Sequence, residues 1–230
     1  MIGSLNSEQV SGFATATVRG MTTLQIRSLA TDALVGLTTQ QVAAITSGQL
    51  AGLGTESLTA FATEDLAVLN SGQVRGLSSS QVSALGTEDI VALNSGAIRG
   101  LSSGALGGVT SEQLRALTTE QVVALTSVQI GALTTEAVSG FATDDLGALT
   151  SVQIGGLKSN QLGALGSDQV GGLGTGAFGA LRSSQLLGLT SDAADGLTTE
   201  QVSVLKSTQL GGLSNGVIGS LNSEQVSGFA

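Results

Sequence analysis

The chain has 230 residues, 34 of them Gly, with 17 Asp/Glu against eight Lys/Arg for a net charge of −9, and it contains no Pro, Cys, His, Trp or Tyr. Without Cys or His there is no disulfide, no thiolate or imidazole nucleophile, and none of the usual ligands for zinc or haem. So few cations on an acidic chain argue against binding nucleic acid or an anionic membrane, and no apolar run is long enough to span a bilayer.

From Leu5 to Gly228 the sequence divides into 28 octads with no insertion or deletion. A run such as 117–124, 125–132 and 133–140 reads LTTEQVVA, LTSVQIGA, LTTEAVSG. Position 1 is Leu in 22 of 28 octads, and position 6 is Val, Ile, Leu or Phe in all but the one with Ala194, so the apolar residues keep strict register. That register predicts a continuous core built by stacking repeats that cannot bury themselves singly, and not a disordered Gly/Ser-rich chain.

Each octad is echoed best by the third octad after it. LNSGQVRG (69–76) returns as LNSGAIRG (93–100), and LTSVQIGA (125–132) as LTSVQIGG (149–156). Sorted by threes, the series opening at Leu5, Leu29 and Leu53 and running on to Leu221 has Leu at every position 1, and no cation falls within it. The expectation is a three-sided coil, eight residues per side and 24 per coil, with three chemically distinct sides. A longer period is also present, since residues 2–14 and 218–230 are identical. That displacement equals nine such coils. It suggests one continuous solenoid domain over 1–230, forming one unit of a longer tandem array plus a short overlap, with the start at Met1.

Within an octad, position 3 is Ser or Thr in 27 of 28 cases, which suits a helix N-cap or a turn. Position 2 is often Thr, Asn or Ser with Gln three residues later, as in Thr118/Gln121, which is the spacing of a capping box. Gly or Ala at position 8 suits a helix end and close packing. Each octad is therefore expected to be a helix of one to two turns, giving an all-α fold. Ala follows Phe13, Phe61, Phe141 and Phe229, which reads as local compensation of volume, so enlarging Ala62 or Ala142 should destabilise.

The alternative is a three-sided β-solenoid. Carboxylates recur in every third octad along two rows, Glu64, Glu88, Glu112, Glu136 and Glu120, Asp144, Asp168, Asp192. In a β-coil neighbours in a row would lie about 4.8 Å apart and repel. Stacked helices hold them roughly 8–10 Å apart, where salt screens much of the repulsion.

The octad L-T-T-x-Q-V-x-A, clearest at Leu117–Leu125, resembles the tandem octapeptide repeats of very large bacterial surface and extracellular proteins. The resemblance covers the whole chain, implies an extracellular structural role and transfers no functional residue. LTTEQVVAL (117–125) is also similar to the first helix of TAL-effector repeats. The longer period, second helix and base-reading loop of those repeats are missing, so this likeness supports only a helical octad.

No catalytic, cofactor-binding or metal-binding residue is assigned, no cofactor is expected, and the chain is read as a non-enzyme. The carboxylate rows, with the adjacent pairs Glu64-Asp65, Glu88-Asp89 and Asp144-Asp145, invite a Ca²⁺ reading, but charges at helix starts account for them. The residues singled out lie on the all-Leu side, whose five central octads carry no charge. There Val128 and Val152 occupy the outward position 4, and Gly107, Gly131, Gly155 and Gly179 keep the neighbouring surface smooth. This neutral strip, rimmed by two charged sides, is expected to mediate lateral contact between copies. The expected role is a structural segment (rigid spacer, stalk or self-associating filament) of a bacterial surface or extracellular protein whose partner is itself, end to end and side by side. The alternative is a Ser/Thr/Gln array binding ice or polysaccharide, and an intracellular scaffold is the third reading.

Overall fold

Each octad folds as one short α-helix beginning at position 3. The computed structural model describes residues 2–229, with side chains from 3; after a 3-10 turn at Ile2–Ser4 it comprises 28 such helices of four to six residues, and no strand among the described residues. The all-α expectation stands, and the β-solenoid is set aside. Met1, read as the start of the unit, and Ala230, the last residue of the thirteen-residue recurrence, lie outside the described residues.

The chain divides into two compact units between Val109 and Thr110. In each, a helix packs on the one three further along. In the first unit α1 (Ser7–Ser11) lies on α4 (Thr31–Val35) and α9 (Ser71–Val74) on α12 (Ser95–Gly100). In the second, α20 (Ser159–Leu162) lies on α23 (Ser183–Leu186) and α24 (Ser191–Ala194) on α27 (Asn215–Ser220). One coil is therefore three helices, or three octads, and both units are α-solenoids. Positions 1 and 6 point inward, as Leu53, Leu58, Leu165 and Val170 do.

Position 5 is buried as well, which hydropathy does not announce. Gln41, Gln81, Gln161 and Gln185 are nearly inaccessible. In Gln161 the side-chain Oε1 accepts the backbone N–H of Lys158 at 2.7 Å, completing the N-cap of its own helix. Its Nε2 donates to the carbonyls of Ile130 and Leu133 in the preceding coil, at 3.0 and 2.7 Å. Gln41, Gln81, Gln185 and Gln201 repeat the pattern at separations of 28 and 31 residues. One amide thus satisfies an orphan donor at a helix start and an orphan carbonyl at a helix end below it, and adds a second bond to the position-6 carbonyl, which already accepts a backbone N–H. Gln9 and Gln25, in the first coil, make the cap bond and stay exposed. Where position 5 is Ala97, Asn94 takes over, its Nδ2 donating to the Ala67 and Leu69 carbonyls at 3.0 and 2.8 Å.

One expectation about the octad needs correction. The N-cap is position 2, not the Ser/Thr column at position 3. Thr38, Thr46 and Thr118 accept the N–H of the Gln three residues on, while position 3 is the first helical residue. Gly at position 8 ends its helix without a left-handed residue, since no described residue has positive φ. The close packing expected of it is what the structure shows. A Cβ built on Gly156, Gly188, Gly196 or Gly212 would drive into the backbone of Ser127, Ser159, Ser167 or Ser183 of the coil before. Of the twelve position-8 glycines in such contacts among the described residues, nine face Ser and three face Thr. Where position 8 is Ala the matching residue of the coil before is more often Thr, as Thr15, Thr55 and Thr119 are for Ala44, Ala84 and Ala148. The smallest pair belongs where two backbones touch.

The alanines after Phe are also not volume compensation. Ala62 is exposed and Ala142 half-buried, and both are N-cap residues with no side chain to offer. Ala62 already has the cap backbone, φ −67° and ψ 155° against −74° and 155° for the capped Thr38. Ala62→Ser is therefore expected to stabilise the chain by about 1 kcal/mol, its hydroxyl accepting the Asp65 N–H, as read from the urea midpoint.

Candidate functional site

Because positions 5 and 6 turn inward in most helices, position 4 is left on the outer surface. In the second unit α16 (Ser127–Ile130), α19 (Ser151–Ile154) and α22 (Thr175–Phe178) are successive members of one stack. Their position 4 residues are Val128, Val152 and Gly176, and the two valines are 71 % and 75 % exposed. Gly131 and Gly155 cap α16 and α19 beside them. The bare Cα of Gly131 serves packing too, since a Cβ there would press on the Gly156 carbonyl. Gly179 caps α22, and its Cβ would touch the side chain of Val204. Gly107 belongs to the first unit, where it caps α13 (Ser103–Leu106) and is exposed. The structure thus places Val128, Val152, Gly131, Gly155 and Gly179 on one stack and Gly107 in the other unit.

Val128 and Val152 floor an open groove of about 610 Å³ whose far wall carries Lys158 and Arg182. Arg182 donates from Nη2 to the Gly155 carbonyl at 3.0 Å, which holds its guanidinium over that floor. Sequence reasoning identified the valines but not this wall, because the Arg182–Gly155 bond joins residues from different coils. The signal was present all the same: Lys158, Arg182 and Lys206 sit at position 2, where a capping Thr, Ser or Asn is usual.

On the opposite border of the valine stack lie α15 (Thr119–Ala124), α18 (Thr143–Ala148), α21 (Ser167–Gly171) and α24, again successive in one stack. They present Glu120, Asp144, Asp168 and Asp192 at position 4, all on the outer surface. Asp145, next to Asp144, is by contrast buried and accepts the Thr119 hydroxyl at 2.7 Å. Asp195, Glu200 and Glu224 line a separate hollow of about 280 Å³. Among the described residues no three carboxylates converge closely enough to hold a metal ion, and no helix is long and apolar enough to cross a membrane.

A fold of like coils stacked in register, with its polar groups spent on joining one coil to the next, defines the class: a tandem-repeat α-solenoid with the make-up of a structural protein. Models of the ALTTAQ repeat match residues 58–95, 82–118, 106–135 and 138–175, which together take in just over half of the chain. The chain belongs to the ALTTAQ repeat family. No curated protein matches it.

Proposed function

We propose that the chain is a rigid spacer or stalk segment of a large bacterial surface or extracellular protein, one whose valine-bearing side associates with other copies of itself. The observation that carries this is the uniformity of the joints. The Gln bridge and the Gly–Ser contact recur along the stack, so much of the inward chemistry of the octads serves stacking. The return of residues 2–14 at 218–230 supports a longer tandem array, and the resemblance of the octads to bacterial surface repeats supports the location.

One, two and three copies of this long period joined in tandem should show a maximum dimension in small-angle scattering that grows linearly with copy number. A dimension that levels off would overturn the spacer reading. Antibody binding to intact producing cells tests the location, and signal only after lysis would favour an intracellular scaffold. A binding array for ice or polysaccharide would have to use positions 2 to 4, because Gln41, Gln121 and Gln161 are buried. Thr118 and Thr119 are exposed and keep that second reading open to a thermal-hysteresis or glycan-binding assay.

A further inference from the structure

Resting on the reading that the valine side of the second unit associates laterally, we infer its partner: the groove of Val128 and Val152 receives the acidic edge formed by Asp144, Asp168 and Asp192 of a second copy of this chain. Three observations converge on this. The floor is apolar and largely free of side chains at Gly131 and Gly155, so a helix edge can lie close against it. The wall residues Lys158 and Arg182 belong to a basic row that Lys206 continues beyond the groove: the three head α20, α23 and α26 (Ser207–Leu210), which are stacked in succession. At each of these helix starts the side-chain cap is given up, so three consecutive coils set a cation where the repeat more often sets a stabilising hydroxyl or amide.

The third observation is pitch. Both the basic and the acidic row advance by one coil per step. Two copies laid side by side therefore meet charge for charge over several coils. A chain of net charge −9 repels its own kind in general, so association depends on such a local match. Groove and edge are different surfaces, which makes the contact heterologous. Each copy added leaves one groove and one edge unused, so growth continues into a bundle or sheet unless the rotation between copies closes a ring.

The experiment uses the full chain, with self-association followed by sedimentation velocity across concentration and salt. Association should weaken as salt rises. Lys158→Glu/Arg182→Glu/Lys206→Glu, and separately Asp144→Lys/Asp168→Lys/Asp192→Lys, should each weaken self-association by at least about tenfold. An equimolar mixture of the two should associate again, and a mixture that stays apart overturns the assignment. The variant Lys158→Thr/Arg182→Thr/Lys206→Thr separates association from folding, because it restores the cap and should raise the unfolding midpoint while association falls. Val128→Lys/Val152→Lys distinguishes the two layers of the argument. If it abolishes association and the charge reversals do not, the valine side stands and the acidic edge is not its partner. A wild-type chain that remains monomeric at every concentration and salt overturns both.

Discussion

Gln161→Leu is expected to destabilise the second unit by about 3 kcal/mol or more, although it exchanges a polar residue for an apolar one of similar size. Two backbone groups lose their partner together, the part-buried Lys158 N–H and the buried Leu133 carbonyl, and the Ile130 carbonyl is left with only the Leu133 N–H. A buried backbone group left unpaired costs roughly 1–3 kcal/mol. The apolar gain from leucine offsets only part of that, since the site adjoins helix ends whose polar atoms remain. Gln25→Leu is the matched control. Gln25 is exposed and contributes its cap bond to Thr22, so its loss should cost no more than about 1 kcal/mol. Denaturant midpoints give the comparison. Hydrogen exchange should locate the Gln161→Leu effect in the coils holding Ile130 and Lys158, and equal effects of the two substitutions would remove the cross-coil role.

Gly188→Ala is expected to be about as damaging, through sterics. The new Cβ would meet the carbonyl oxygen, carbonyl carbon and Cα of Ser159, all backbone, and no rotamer change relieves it. Helices α20 and α23 must separate, which places the cost at the upper end of the overpacking range, about 3 kcal/mol. Gly48→Ala makes the same chemical change where a Cβ meets nothing within 4 Å, inside α6 (Ser47–Gly52). It should stabilise by about 0.5–1 kcal/mol through helix propensity. Opposite signs from one substitution type in one assay are the expected outcome; two losses of equal size would show that the close approach is not what selects glycine.

The parts of the fold that were legible in the sequence were those carried by hydropathy and short spacing. Leu101 and Ile130 declare their burial by being apolar in register, and Thr118/Gln121 declare a helix start because cap and partner lie three residues apart. The position of Val128 and Val152 on the surface followed from that same register. What stayed hidden depended on neighbours one coil away. Gln161 is polar and its column recurs through most of the repeats, the usual mark of a surface residue, yet its acceptors lie 28 and 31 residues earlier. Position 8 marks Gly188 for close packing, but its partner, the Ser159 backbone one coil earlier, was not legible. Ala62 next to Phe61 suggested shared volume, whereas the corner between helices turns it outward. Arg182 was legible as a cation, but its hold on Gly155 across the corner was not.

The glutamine bridges also give each unit an arrow. Every Nε2 donor of the kind seen in Gln161 and Gln185 belongs to the later coil, and every acceptor to the earlier one. A chain emerging from the ribosome therefore presents each new coil with acceptors already in place, and folding can proceed by templated addition in the order of synthesis. Growth in the reverse sense would have to leave donors waiting for a surface not yet made. Of the two termini of such a stack, the carboxyl-terminal one is the growing end.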